Sequence, residues 1–278
     1  MKDRFFRWPN FKVKALTLSY DDGTVYDKKL IDIMSKHGIR GTFNISSGGL
    51  RDVSGFEMNL SIAEAQQLYY PSGNEVALHG CYHLSLAAYG LDEVIAEVYE
   101  DRKTLEKYFG GIIRGMAYAN GSYTDEVVDC LAKLGIKYSR TCEATNDFRV
   151  RKEWLKLRPT CHHSENTLFE LCDKFLAWNI EEMYDRSSIM FYVWGHSYEF
   201  ENDKNWDRIE KFCEKVGNNE QVWYATNTEI YDYVKAYESL DFSADGTKVY
   251  NPTAIDIYFE FNRKNYKVKS GETLIIER

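Results

Sequence analysis

Two aspartates and two histidines carry the first chemical signal in this 278-residue chain. Asp21-Asp22-Gly23 follows the β-rich run Val13–Tyr20, and His79-Gly80-Cys81-Tyr82-His83 sets two imidazoles at i and i+4. On a helical turn that spacing puts both rings on one face, where they can hold one cation. A carboxylate from Asp21 or Asp22 completes a set of two histidines and one carboxylate, leaving coordination positions open for water and substrate. HxxxH alone is as readily two unrelated histidines, and Asp-Asp-Gly alone is a common turn. It is their pairing that points to a metal. Adjacent side chains leave the backbone in different directions, so the two aspartates are expected to divide into one ligand and one base. Asn120-Gly121 and His196 follow two further apolar runs, and Glu199 stands three residues after His196, placed to orient a ligand or a substrate hydroxyl.

These residues need strands to deliver them. The first ~240 residues alternate short apolar runs with amphipathic stretches. Strands are expected at Val13–Tyr20, Gly41–Ile45, Glu75–Leu78, Ile112–Tyr118, Ile136–Ser139, Trp154–Leu157, Ser188–Trp194 and Gln221–Tyr224. Helices are expected at Tyr26–His37, from Ser61 with its capping-box Glu64, and at Asp92–Phe109, Thr124–Leu134, Ser164–Glu181, Asp203–Val216 and Thr228–Tyr237. Strand then helix, seven or eight times, argues an α/β fold with a parallel sheet, a distorted (β/α)7-8 barrel before a doubly wound sheet, since no GxGxxG follows the first strand. In either fold the active site lies beyond the carboxyl ends of the strands, where the aspartates, His79, Asn120 and His196 all fall. After Leu240 the pattern becomes turns and alternating residues. Residues 1–240 are therefore expected to form the catalytic barrel, and 241–278 a small antiparallel β extension packed on it.

Composition narrows the partners. Lys and Arg number 35 against 43 Asp and Glu, a net charge of −8. That balance argues against nucleic acid and against an anionic membrane. Aromatic residues make up 15%, with 21 Tyr and 6 Trp, enough to line a sugar-binding cleft as well as a core. No run of ~18 apolar residues exists, and Met1–Phe11 lacks the apolar centre of a secretory signal. Six scattered cysteines without a CxxC pair read as reduced thiols, so a cytoplasmic protein is expected.

From about Lys14 to Tyr233 the sequence resembles the polysaccharide deacetylases of carbohydrate esterase family 4. The family's first motif, T-F-D-D-G, stands as Ser19-Tyr20-Asp21-Asp22-Gly23, which implies that Asp21 is the base and Asp22 a metal ligand. The H-S/T-x-x-H motif stands as His79–His83, implying two more ligands, with Gly80 in place of the usual hydroxyl residue. The third motif, R-x-P-Y-G, aligns with Ala117–Gly121, which implies that the Asn120 backbone N–H meets the oxyanion. Its arginine is missing, and Arg158 is the candidate to replace it near Asp21. The last motif resembles Phe191–His196, implying that His196 is the general acid and that Trp194 walls the acetyl-methyl pocket. Tyr20, Tyr118, Trp194, Glu199 and Arg158 are the expected substrate contacts. The fourth motif is not recognisable, and His162-His163 reads as a loop pair, or one of the two as a substrate contact.

The resemblance implies metal-dependent removal of N- or O-acetyl groups from an oligo- or polysaccharide. Zinc is the first choice, with cobalt, nickel or iron as alternatives for mixed N/O ligation. Two other readings are hydrolysis of a small non-sugar amide and a carbohydrate-binding barrel with little activity. A pure binder needs neither a base nor an acid, so Asp21 and His196 argue against the last.

Overall fold

A computed structural model of the chain describes residues 4–183 and 185–277. Among these residues eight parallel strands form a curled half-barrel. Seven run in the spatial order Tyr138–Arg140, Gly115–Ala117, Glu75–Leu78, Gly41–Ile45, Lys14–Asp21, Ile189–His196 and Cys161–His162. The eighth, Val222–Tyr224, pairs with the first half of Lys14–Asp21. Lys14–Asp21 is buried at every residue, as a central strand covered on both faces must be. The fold is the expected distorted (β/α) barrel.

The barrel mouth is drawn together by an irregular segment. Trp154–Leu157, expected as a strand, is instead a 3-10 turn at Trp154–Lys156, and Leu157 alone bridges to Arg140. Four residues later Cys161 and His162 pair with Val193 and Trp194 on the opposite edge. Pro159 between them donates no ladder hydrogen bond, which keeps the connection from being one continuous strand. The helices sit where periodicity puts them, with two differences. The expected Asp203–Val216 helix shortens to Trp206–Val216, preceded by a separate, unexpected short helix Ser197–Asn202, and Ser164–Glu181 shortens to Leu168–Ala177. The Ser61–Glu64 capping box forms as read.

Beyond Leu240 two small antiparallel sheets form, and one recruits the other end of the chain. Arg4–Arg7 pairs with Ile257–Phe261, which turns back through Asn262 and Arg263 into Lys264–Val268. Both turn residues are left-handed (φ 49° and 62°), as a two-residue hairpin matched to strand twist requires. Trp8, Tyr233, Val249, Ile257, Phe259 and Phe261 make one apolar cluster with Ala15 and Met190, at the amino ends of the barrel strands. The functional end is therefore left uncovered.

A charged knot ties the two chain ends to the barrel. Glu260 accepts from Arg7 Nη2 at 2.8 Å and from Arg186 Nε at 2.8 Å, and Arg7 Nη1 donates to the Arg186 carbonyl at 2.9 Å. Arg7 is 1% and Glu260 4% exposed. Removing one partner of a buried ion pair strands the other charge. Glu260→Ala is expected to cost about 3–5 kcal/mol in denaturant unfolding; a loss under about 1 kcal/mol would mean the arginines find water instead.

Candidate active site

Six strand ends converge at the barrel mouth. Asp21, His79, Ala117, Arg140, His162 and His196 each end or directly follow a parallel strand. The turns that carry the side chains are bent backward: Asp22 (φ 79°), Gly80 (φ 84°), His83 (φ 58°) and Asn120 (φ 56°) are all left-handed. Such conformations cost of order 1–3 kcal/mol for residues with a Cβ and concentrate at functional sites.

Asp22, His79 and His83 come together as read from the sequence. Asp22 Oδ1 lies 3.5 Å from His79 Nε2 and 3.6 Å from His83 Nε2. Tetrahedral ligation at ~2.0–2.1 Å sets donor separations of roughly 3.3–3.4 Å, so the set fits a divalent cation. His79 Nδ1 sits 2.9 Å from the Ala117 carbonyl, which fixes its proton there and turns the Nε2 lone pair to the cluster. Two carboxylates of the Leu91–Phe109 helix hold the histidine loop. Asp101 accepts the backbone N–H groups of Ser47 and His79, and Glu97 those of Tyr82 and Leu84. Glu97 also explains Gly80. A Cβ at residue 80 would lie 2.7 Å from Glu97 Oε1, so the carboxylate occupies the space that the family's hydroxyl residue would need.

Asp21 stands beside this set. It is 2% exposed, 3.7 Å from His79 Nε2 and 3.9 Å from His196 Nε2. Asn44 Nδ2 donates to its Oδ1 at 2.8 Å, and Arg140 Nη2 donates to its Oδ2. The replacement for the missing motif arginine is therefore Arg140, not Arg158. Arg158 lies on the closing segment, where its charge is felt by Tyr123. Arg140 is fully buried, with the Trp194 ring 4.3 Å from its guanidinium carbon. Burial pushes the Asp21 carboxyl up, and Arg140, then His79 and His196, more than reverse it, leaving it below its ordinary value.

His196 Nε2 faces Asp21 and, at 4.0 Å, Asp22 Oδ2. Glu199, expected at a substrate or ligand, is instead turned onto three imidazoles: His196 Nδ1 at 3.3 Å, His162 Nε2 at 3.2 Å and His163 Nε2 at 3.0 Å. His162 and His163 are thus not loop bystanders; His162 ends a strand and both rings reach one oxygen. Burial pulls His196 down, and Glu199, Asp21 and Asp22 outweigh it, so its pKa is raised.

Two expected substrate contacts are not available. Tyr20 is fully buried, stacked against Phe43 and His163, because strand alternation turns it away from the face that carries Asp21. Tyr118 is fully buried on Tyr123, its hydroxyl donating to the Leu155 carbonyl at 2.8 Å. Trp194 does border the site, with His162 and His196 against its ring. Asn120 opens outward from the turn after Ala117, and its side chain donates to Ser85 Oγ at 2.9 Å. Asn44, Arg140, Glu97 and Asp101 were not singled out in the sequence. Asn44 and Arg140 had one readable signal, a polar side chain at the end of an otherwise apolar strand.

Behind the site, Asp27 is buried and accepts from Tyr69 at 2.6 Å and from Ser197 at 2.5 Å, tying the residue after His196 to the helix after Asp22.

Residues 9–139 match the polysaccharide deacetylase family. No curated protein matches the sequence. Among solved structures, a Mycobacterium smegmatis protein of polysaccharide deacetylase type aligns at 14% identity over 86% of this chain and 96% of its own, TM-score 0.58. A Bacillus anthracis protein described as a family 4 pseudoenzyme aligns at 16% identity over 82% of this chain and 68% of its own, TM-score 0.50. The Streptococcus pyogenes deacetylase PplD aligns at 22% identity over 50% of this chain, TM-score 0.45, and this chain spans 61% of its length. At these identities the likeness is one of fold.

Two expectations follow from the supports. Gly80→Ser, which restores the family's usual residue type, should lower stability by about 1–3 kcal/mol and weaken zinc binding measured by calorimetry; unchanged values would show that Glu97 swings aside. Burial pushes the Asp27 carboxyl up to about 7, against the hydrogen bonds from Ser197 and Tyr69. The folded chain then keeps a proton that the unfolded chain releases near 3.8, so this contribution is full below that pH and is lost as pH rises through about 7. Asp27→Asn should flatten the decline of Tm with pH across that window; an unchanged slope would mean that Asp27 ionises normally.

Proposed function

We propose, from the match of residues 9–139 to the polysaccharide deacetylase family, that the chain is a metal-dependent hydrolase releasing acetate from an acetylated carbohydrate. One observation carries the reading: a carboxylate–imidazole set fit for a cation lies between Asp21 and His196, a buried ionised acid and a histidine of raised pKa.

Asp22, His79 and His83 would hold the cation, zinc first, with cobalt, nickel or iron as alternatives for this N/O set. When bound it supplies a lowered water pKa and a polarised acetyl carbonyl. Asp21, held ionised by Arg140 and Asn44, takes the proton of the attacking water as the new C–O bond forms. The Asn120 backbone N–H receives the oxyanion, a contact worth on the order of 3 kcal/mol. His196 gives its Nε2 proton to the leaving nitrogen or oxygen as that bond breaks, and acetate departs. Trp194 walls the space for the acetyl methyl.

The test is acetate release from acetylated chito-, xylo- and peptidoglycan fragments, with added zinc or cobalt and again with a chelator. Release that stops with the chelator is expected, and the best fragment names the sugar. Asp21→Asn should lower kcat by ~10²–10⁴ while zinc remains bound; full activity would remove Asp21 from the base role. No release from any fragment, with zinc bound stoichiometrically, would overturn the carbohydrate reading in favour of a small non-sugar amide or of binding alone.

A further inference from the structure

We infer that Glu199, clamped by His162 and His163, is the positioning residue that turns the Nε2 edge of His196 toward the reacting centre. The inference rests on the deacetylase reading above and goes beyond it in assigning the three residues a joint task.

Glu199 has a plainer explanation, and it is insufficient. It is the third residue of the Ser197–Asn202 helix and its Oε2 accepts the His196 backbone N–H at 3.2 Å, a capping box. A cap needs that contact alone. Here the same oxygen also lies 3.2 Å from His162 Nε2 and 3.0 Å from His163 Nε2, and the second oxygen, Oε1, lies 3.3 Å from His196 Nδ1. The two groups are close without hydrogen-bond alignment, and His196 Nδ1 is buried with no other partner; catalytic contacts are often poorly aligned before substrate arrives.

The clamp is built residue by residue. Ser164 donates its backbone N–H to His162 Nδ1 at 3.2 Å. The ring proton is thereby on Nε2, the edge facing Glu199. His163 is 2% exposed and packed face to face on Phe200, 4.1 Å between ring centres. Burial lowers it to about 4, so the ring is neutral, and Nδ1 has no partner. Its proton goes to the Nε2 edge, 3.0 Å from the carboxylate. Gly195 makes room: a Cβ there would fall 2.1 Å from His163 Nδ1. Burial pushes the Glu199 carboxyl up, and the imidazole contacts more than reverse it, holding it well below the carboxylate range.

The consequence is directional. An ionised Oε1 beside His196 Nδ1 keeps a proton on Nδ1 in both states of the ring. Exchange is confined to Nε2, the atom 3.9 Å from Asp21. As the scissile C–N or C–O bond breaks, its electron pair takes the Nε2 proton; His196 becomes neutral and Glu199 stays an anion throughout.

His162, His163 and Glu199 also have the composition of a second cation site. Ser164 speaks against it, since the N–H on His162 Nδ1 leaves Nε2 carrying a proton where a cation needs a lone pair.

The experiment pairs two substrates and one spectrum. Protonation matters for a poor leaving group, such as a sugar hydroxyl or amine, and little for 4-nitrophenolate. Glu199→Gln should lower kcat on the acetylated sugar at least tenfold more than on 4-nitrophenyl acetate, with KM little changed; His162→Leu, at a less buried position, should move the same ratio in the same direction. Imidazole 15N shifts should show His196 protonated on Nδ1 in the wild type and lose that preference in Glu199→Gln. Equal losses on both substrates, or an unchanged His196 tautomer, would overturn the inference while leaving deacetylation intact. A wild type inactive on every acetylated sugar, with the Nδ1 tautomer present and lost in the variant, would overturn the deacetylase reading and leave the positioning standing. A second zinc per chain that is lost in His162→Leu would replace the clamp with a metal site.

Discussion

A carboxylate buried to 2% exposure needs a counter-charge, and the geometry of this barrel follows from where that charge comes from. Asp21 ends the central strand, and Arg140 ends the strand four places away in the sheet. In a flat sheet, neighbouring strands sit ~4.8 Å apart, so these two ends would be roughly 19 Å apart. Only curling brings a guanidinium onto Oδ2. The irregular segment from Leu157 to His162 completes the circuit, joining the Arg140 strand to the His196 strand, and Trp194 covers the guanidinium from that side. Opening the mouth would leave both charges in a low-dielectric interior without partners, a loss of about 3–5 kcal/mol for either one. The ion pair therefore closes the barrel as well as holding the Asp21 carboxyl below its ordinary pKa.

Each departure from the family motifs has a physical counterpart elsewhere in this chain. Ala117 stands where the arginine is expected, and Arg140 supplies the charge from the next strand. Gly80 stands where a hydroxyl is expected, and Glu97 fills that space and binds the loop's backbone. The fourth motif is absent, and Glu199 reaches His196 from the following helix. In the first two cases a different residue fills the place that the motif residue would take. The site tolerates this because each function is set by an atom's position and charge.

The residues that gather at the barrel mouth were legible because they sit at strand ends in recognisable order: Asp21-Asp22-Gly23, His79 to His83, His196. Their supports were not, since a partner across the barrel depends on closure, and no local pattern encodes that. Arg140 and Arg158 are equally near strands in sequence; only the bridge at Leu157 distinguishes them. Tyr20 is a different case. Its burial follows from the period of two along a strand, given that Asp21 faces the mouth. Motif membership suggested a substrate contact where alternation already placed the ring in the core. The Arg4–Arg7 strand left little trace, being four residues long with a charge at each end, and its pairing depends on a partner some 250 residues away.

Asp21 and His196 are set apart in this site by environment alone. Asp21 and His196 lie 3.9 Å apart, yet the first is held below its ordinary pKa and the second above. Arg140 accounts for the first. For the second, three anions act on His196: Glu199, Asp21 and Asp22. They are not equivalent during turnover. Under the proposed mechanism Asp22 would share its charge with a cation, and Asp21 would lose its charge on taking a proton from water. Glu199 alone, with three imidazoles and the His196 backbone N–H around its oxygens, would stay an anion throughout the proposed reaction. On the proposed mechanism the constant group is the one suited to orient His196, which is why a carboxylate on its far side from Asp21 matters to the reading.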